Sequence, residues 1–269
     1  MEKPKISIVT ICYNSESTIE ETIQSVLSQE YPLLDYVIID GGSTDSTMQI
    51  VEKYRTRLGY VCSEKDKGIS DAFNKGVQHS MGDVIGIINS DDILLPGALN
   101  AIAEAYDGTT DAYRGNVIVV NKETGFRGRE IPSMTFPLAP LVTHVAHQGT
   151  FVSKQAYNRW GAYDLKFRYM MDYDFMTRIY QGGAQFKYVD FDIAEFRLGG
   201  VSETPISKKR YDIEHVVLNN GGSKFKARYF YCYMYTFDLC KRIFTKLFGL
   251  DRLKKLHYSR NGKLKLGPP

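Results

Sequence analysis

The sequence is poor in cysteine and tryptophan, with four Cys (12, 62, 232 and 240) and one Trp in 269 residues. So few cysteines in an otherwise ordinary globular composition exclude a disulfide scaffold, and no two form a C-x-x-C pair, so neither a zinc site nor a redox motif is indicated. Thiols this sparse suit a reducing compartment. No stretch of about 18 uncharged apolar residues occurs, so no ordinary transmembrane helix is expected. Met1-Glu2-Lys3-Pro4-Lys5 passes straight into a strand-like run without the basic and apolar regions of a secretory signal, so a cytoplasmic location is expected. Internal repeats and low-complexity runs are missing too. With 43% hydrophobic and 24% charged residues, global disorder is excluded and the length suits an ordinary α/β domain.

A large net charge is also lacking: the total is +3. Counted by region, the balance changes. Residues 221–269 hold twelve Lys/Arg against Asp238 and Asp251, a local +10, so residues 1–220 carry −7. The chain reads as an acidic body with a basic tail.

The body begins with alternating patterns. Lys5–Tyr13, Tyr36–Ile39, Tyr60–Ser63 and Val84–Ile88 are short apolar runs that read as strands. Helical spacing falls between them at Thr18–Gln29, Ser46–Arg57 and Ile69–Ser80, and another helix opens near Pro96 and ends near Tyr106. Such alternation implies a mostly parallel, Rossmann-like sheet with helices on both faces, whose ligands bind at the carboxyl ends of the strands. The polar clusters fall there: Tyr13-Asn14, Asp40–Asp45, Glu64–Asp66 and Asp91-Asp92. After residue 106 the pattern is mixed: a strand at Ala112–Asn121, a turn at Thr124-Gly125 with a short return strand, a proline-rich connection at Pro132–Pro140, and a strand at Gln148–Ser153. A helix at Tyr173–Gln181, a strand at Phe186–Phe191 and a loop at Arg197–Ser202 complete it.

Beyond the body, Phe225, Tyr229, Cys232, Tyr233, Phe237, Cys240, Phe244, Leu247 and Phe248 recur at helical steps, which predicts a long amphipathic helix over Lys224–Leu250. A basic, aromatic-rich helix of this kind suits an anionic membrane surface; packing on the body is the other reading. No nucleic-acid motif accompanies the charge, so no nucleic-acid partner is expected.

Two chemical groupings stand out. Adjacent carboxylates such as Asp91-Asp92 are costly to crowd without a compensating cation, and their oxygens suit Mg²⁺ or Mn²⁺ held together with substrate phosphates; an N-cap at the following helix is the plainer reading. Asp40 before Gly41-Gly42 can accept from a ribose or base while the glycines let a ligand approach the backbone, or can simply close a turn.

Together the segments KISIVTICYNS, YVIIDGGSTDST, SEKDKGISDAFNKG and GIINSDD resemble, in order and spacing, the family 2 glycosyltransferases of GT-A fold, in particular those building bacterial capsule, exopolysaccharide or O-antigen. The resemblance is close over residues 5–100 and looser to about 205. It implies a GT-A domain over 1–205, with a nucleotide-binding half (1–106) and an acceptor half (107–205), followed by a basic helical extension over 206–269. It implies that Thr10 and Tyr13 line a nucleotide pocket, that Asp40 binds the base, and that Asp66, Asp71, Asn74 and Lys75 shape the donor site. Ser90-Asp91-Asp92 matches the family's DXD position, with Asp91 on ribose or metal and Asp92 on the metal. Asp172, at the start of the distal helix, matches the catalytic base, with Met171 where relatives often carry Glu. His147 and Gln148 line the acceptor side, and Arg197 opens a loop that closes over the donor. The implied activity is metal-dependent inverting transfer from a nucleotide-sugar, with UDP preferred, to a saccharide or polyprenyl-diphosphate-linked saccharide. The implied location is the inner face of the cell membrane. The alternative is an inactive nucleotide-sugar-binding protein. A sugar nucleotidyltransferase is disfavoured because KISIVTICYNSES lacks a glycine-rich basic loop.

Overall fold

The structure, a computed structural model, describes residues 2–122, 125–136, 145–199 and 204–248. Its first half contains β1 (Ile6–Cys12), α1 (Ile19–Leu27), β2 (Leu34–Asp40), α2 (Thr47–Glu52), β3 (Tyr60–Ser63), α3 (Ile69–His79) and β4 (Val84–Asn89). These strands lie in the order β3-β2-β1-β4, all parallel. Their carboxyl ends therefore share one edge of the sheet. Ile6 and Ile8 of β1 pack with Ile19, Ile23 and Val26 of α1, whereas Val9 packs with Ala72 and Phe73 of α3. Burial on both faces explains why these strands read as continuous apolar runs rather than alternating ones.

The second half adds β5 (Ile93–Leu94), α4 (Ala98–Ala105), β6 (Ala112–Asn121), β7 (Phe126–Glu130), β8 (Thr150–Ser153), α5 (Lys154–Trp160), α6 (Met171–Gln181), β9 (Phe186–Arg197), α7 (Arg210–Asn219) and α8 (Lys224–Phe248). The sheet continues from β4 as β8-β6-β9-β5, with β7 paired to β6. β8 runs antiparallel to both neighbours, and β9 runs parallel to β6. The start of β8 and the end of β9 thus come to the edge where β1–β4 leave the sheet. The result is the expected α/β architecture with helices on both faces.

Several elements differ from the pattern in the sequence. The helix expected over 46–57 ends at Glu52, and a 3-10 turn at Arg55–Arg57 lets Leu58 turn into the core. β9 runs to Arg197 instead of stopping at Phe191, because its charged residues face β7: Arg129 pairs with Asp192 at 2.5 Å and Arg127 with Glu195 at 3.1 Å. β5 and α5 are too short to leave a periodic signal, although the Ser153 side chain accepts from Ala156 N as the cap of α5. α7 lies in the stretch assigned to the extension, yet buries Ile213 and Val216 in the same cluster as Phe175 and Ile179. The readings at Thr124, at the 137–140 part of the proline-rich connection, at residues 200–202 of the final loop and at the tail beyond 248 lie outside the described residues.

α8 rests on α7 through a narrow face where Ala227 and Met234 are buried. The aromatic stripe is on the other side: Phe225 is 81% exposed, Phe237 64% and Leu247 69%, with Tyr229 and Tyr233 also exposed. No helix among the described residues is long and apolar enough to cross a membrane.

Candidate active site

The exit of β4 supplies the acidic pair. Asp91 is partly buried, and its carboxyl is raised above the usual range by loss of solvent. Asp92 is completely buried. Its Oδ2 accepts from Gln148 Nε2 at 2.8 Å and Asn89 Nδ2 at 3.3 Å, and its Oδ1 accepts from the backbone N of Arg197 at 3.1 Å. Burial, then the charge of Asp91, pushes Asp92 up to about 7. Asp92 therefore ties three elements together: β4, the turn at His147–Gly149 and the end of β9. Both carboxylate oxygens of Asp92 are taken by these donors, and Asp91 is the more accessible member of the pair.

The turn before β8 packs tightly: a Cβ on Gly149 would lie 2.7 Å from Val117 Cγ2 and 2.8 Å from the carbonyl of Gly115. Only glycine allows this approach, which puts His147 between the acidic pair and α6. His147 Nδ1 lies 3.8 Å from Asp172 Oδ2, and its positive charge, when present, would favour ionised Asp91 and Asp92. Its Nε2 is buried without a hydrogen-bond partner among the described residues, as is Gln148 Oε1. Asp172 sits in the first turn of α6, one-fifth exposed, with Oδ1 accepting from Tyr173 N at 2.7 Å. Behind it a void of about 10 Å³, lined by Ile87, Val145 and Phe175, has room for one water at most.

The β1–β3 exits divide between rim and scaffold. Tyr13 is 62% exposed. Gly41 lets Asp66 and Tyr13 close over the rim, for a Cβ there would fall 2.6 Å from Asp66 Oδ2. Asp66 also accepts from Gly68 N at 2.9 Å. Asp40 is fully buried and accepts from Ser43 N, Ser43 Oγ, Gly42 N and Ser63 Oγ at 2.5–3.2 Å. These donors, three from its own loop and one from β3, hold the turn after β2 in shape. Thr10 is buried in the sheet, its hydroxyl 3.0 Å from that of Tyr36. Asn74 exchanges two hydrogen bonds with the backbone of Tyr163, at 2.8 and 2.9 Å, and so joins α3 to the segment before α6. Lys75 pairs with Glu64 at 2.7 Å and Asp71 at 3.4 Å; Asp71 also accepts from Lys67 N.

Arg197 sends its guanidinium toward α1, where two bonds of 2.8 and 2.5 Å hold Glu21. Its backbone N–H donates to Asp92, and its positive charge favours ionised Asp91. Three contributors escaped the sequence reading. Glu21 is an ordinary helix-surface residue until β9 arrives. Arg114 is wholly buried, donating to Thr150 Oγ1 at 3.1 Å beneath the Phe136 ring, and burial lowers it to about 10 against the opposing pull of Glu130 and Asp172. Asp212 of α7 accepts from the backbone N–H groups of Arg168, Tyr169 and Met170 at 2.5–3.0 Å, which clamps the entrance to α6. A segment read as a basic extension held no signal for that role.

The arrangement is a carboxylate pair and a second carboxylate joined through a histidine, at the ligand-binding edge of an α/β sheet. The sequence profile of Glycosyl transferase family 2 matches residues 7–168. A PGL/p-HBAD biosynthesis glycosyltransferase of Mycobacterium bovis is 28% identical over 219 residues, covering 78% of this chain and 83% of that protein. The putative glycosyltransferase EpsE of Bacillus subtilis is 28% identical over 193 residues, covering 67% and 68%. In fold, the chain is similar to S. aureus TarS in complex with UDP-GlcNAc (TM-score 0.64, 21% identity, 84% of this chain and 70% of that one). It is similar too to the mannosyltransferase PcManGT of Pyrobaculum calidifontis in complex with GDP-Man and Mn²⁺ (TM-score 0.64, 16% identity, 97% and 81%). The chain belongs to glycosyl transferase family 2.

Proposed function

We propose that this glycosyltransferase is an inverting enzyme that moves a sugar from a nucleotide-sugar, with UDP-sugars preferred, to a saccharide or polyprenyl-diphosphate-linked saccharide in bacterial surface polysaccharide synthesis. The observation that carries the reading is the continuous line from Asp91 and Asp92 through His147 to Asp172. It separates a leaving-group end from a proton-accepting end.

At the first end, the chemistry of the donor set fits a divalent ion. Asp91 and Asp92 are carboxylates raised by burial and, for Asp92, by mutual repulsion, a penalty that a nearby cation relieves. Carboxylate oxygens of this kind suit Mg²⁺ or Mn²⁺ shared with a diphosphate. Asp91 is the residue that would touch the ion, with Asp92 holding the turn behind it. When bound, the ion supplies positive charge to the departing nucleoside diphosphate. Tyr13 and Asp66 form the rim for the nucleotide, and Asp71 and Lys75 brace the wall beside it.

At the other end, Asp172 Oδ2 takes the proton of the acceptor hydroxyl as its oxygen attacks the anomeric carbon. A new C–O bond forms there as the bond to the diphosphate breaks. His147 confines the carboxylate to one side. The basic tail and the outward aromatic stripe of α8 support docking on the anionic inner face of the cell membrane, where lipid-linked acceptors reside. A panel of nucleotide-sugars with Mn²⁺, read by thermal stabilisation and by turnover, tests the reading. Asp172→Asn should bind the donor as the wild type does and lose about 10²–10⁴-fold in kcat. Near-normal turnover would remove the base assignment, and stabilisation by no nucleotide-sugar would overturn the whole reading.

A further inference from the structure

Two buried tyrosines stand behind Asp172. Tyr157 belongs to α5 and Tyr163 to the segment between α5 and α6, and their hydroxyls lie 3.2 Å apart. Both border the void of about 10 Å³ that also touches His147, Thr150 and Asp172. The Phe73 ring packs Tyr163 at 5.1 Å and His147 at 5.5 Å between centroids, so one neighbour holds both side chains. Tyr163 is fixed along its backbone as well. Asn74 bonds to its N–H and its carbonyl, and the Arg178 guanidinium donates to the carbonyls of Trp160 and Ala162 just before it. Burial raises the Tyr163 phenol well above its ordinary value, and Tyr157 and Asp172 add to the shift. Tyr163 therefore keeps its proton and serves as a hydrogen-bond donor.

The protons around this void can be counted. Two phenols carry two, and their mutual bond uses one. The negative charge of Asp172 draws the spare O–H dipole toward its own side, so Tyr157 donates to Tyr163 and Tyr163 keeps the spare proton. Thr150 is already engaged: its hydroxyl donates to the Ala146 carbonyl and accepts from Arg114 Nε, each at 3.1 Å. His147 is not, for its Nε2 is buried without a hydrogen-bond partner among the described residues. A buried donor or acceptor left unmade costs its full desolvation. A spare phenol proton and a bare ring nitrogen beside one void are complementary, directly or across the single water that the void can hold. A neutral imidazole has one N–H and one bare nitrogen, and the bond made at one of them sets which is which. With Nε2 accepting, the ring proton sits on Nδ1, 3.8 Å from Asp172 Oδ2. The opposite tautomer would turn a lone pair against the carboxylate.

We propose that Tyr163 is a positioning residue for the transfer: its hydroxyl donates to His147 Nε2, directly or across one water, and fixes the ring proton on Nδ1, facing Asp172. His147 then holds the carboxylate in one orientation toward the acceptor hydroxyl. The chain of bonds places protons and passes none, so it adds no chemical step. Its effect on turnover rests on the reading of Asp172 as the base; the tautomer itself does not.

Nitrogen-15 NMR of the full chain, labelled at its five histidines, reads the tautomer without substrates, at about pH 8 so that imidazole of ordinary pKa is neutral. His147→Gln identifies the signals by their loss. In the wild type the proton of His147 should be on Nδ1, with Nε2 shifted as a hydrogen-bond acceptor. Tyr163→Phe should move that proton to Nε2 or divide it between the two nitrogens. It should also lower kcat about tenfold or more while donor KM stays within about twofold. Tyr157→Phe breaks the same phenol pair but leaves Tyr163 its proton, so the tautomer should persist and kcat should fall by about threefold at most. Equal loss of kcat in both variants would mean a merely structural role and would overturn the proposal. A tautomer or a kcat unchanged in Tyr163→Phe overturns it too. A wild-type ring protonated on Nε2 does so with no variant needed. Failure of the base reading shows elsewhere, as undiminished turnover in Asp172→Asn, and leaves the tautomer result standing.

Discussion

At the residue scale, carboxylates of one type divide into different tasks by what donates to them. Asp40 and Asp92 are saturated by internal donors, whereas Asp91 and Asp172 are only partly buried. Asp91→Asn should therefore remove the extra thermal stabilisation that Mn²⁺ confers on the UDP-bound protein, while leaving the apo melting temperature within about 2 °C. Full Mn²⁺-dependent stabilisation in that variant would return the metal contact to Asp92. Asp174 offers a pH prediction. It is buried, and loss of solvent raises it to about 6 despite Arg178 and Asn220. Between roughly pH 4, where the unfolded carboxyl titrates, and pH 6 the native state holds the extra proton, so this residue's contribution falls as pH rises through that window. Wild-type stability measured against Asp174→Asn should drop by on the order of 2 kcal/mol from pH 4 to 7. A rise over the same range would mean that the Arg178 pair dominates.

At the scale of elements, the position of α6 depends on α7. One oxygen of Asp212 receives three consecutive amides just ahead of Asp172. Asp212→Ala strands those donors, of which Met170 N is buried, and should cost about 2–3 kcal/mol by chemical denaturation. It should also lower kcat more than it changes donor KM, because the base loses its placement while the nucleotide rim at Tyr13 and Asp66 is untouched. Asp212→Asn, which keeps one acceptor oxygen, should recover much of both. Equal loss of kcat and donor affinity in Asp212→Ala would reduce the clamp to a purely structural role. The strands of the first half were legible because each is apolar throughout and bounded by polar turn residues, as in Ile6–Cys12 before Asn14-Ser15. α7 was not, because its apolar residues Ile213 and Val216 stand among Lys208, Lys209, Arg210 and Asp212, a mixture that takes a face only when packed.

At the scale of the whole molecule, the uneven charge acquires a geometry. α8 turns Phe225, Phe237 and Leu247 away from the body while Ala227 and Met234 hold it there. Replacing Phe237 and Leu247 by Ser should lower partitioning onto vesicles containing anionic lipid by about tenfold or more, at about 25 cal/mol per Å² of apolar surface withdrawn from the bilayer. Turnover on a soluble acceptor should be unchanged. Equal partitioning of variant and wild type would remove the membrane from this account.

By itself the amino-acid sequence determined the parallel half of the sheet, the location of polar clusters at the strand exits and the long helix of the tail. Each is a local consequence of apolar period and turn chemistry. Tertiary structure alone decided which carboxylate faces outward. That choice rests on donors from distant positions, such as Gln148 and Arg197 on Asp92 or Ser63 on Asp40. It also decided which side of α8 is left bare, since the aromatic period is the same whether a helix packs or stands free. Hydrogen-bond saturation and burial are properties of the assembled neighbourhood, and no spacing along the chain encodes them.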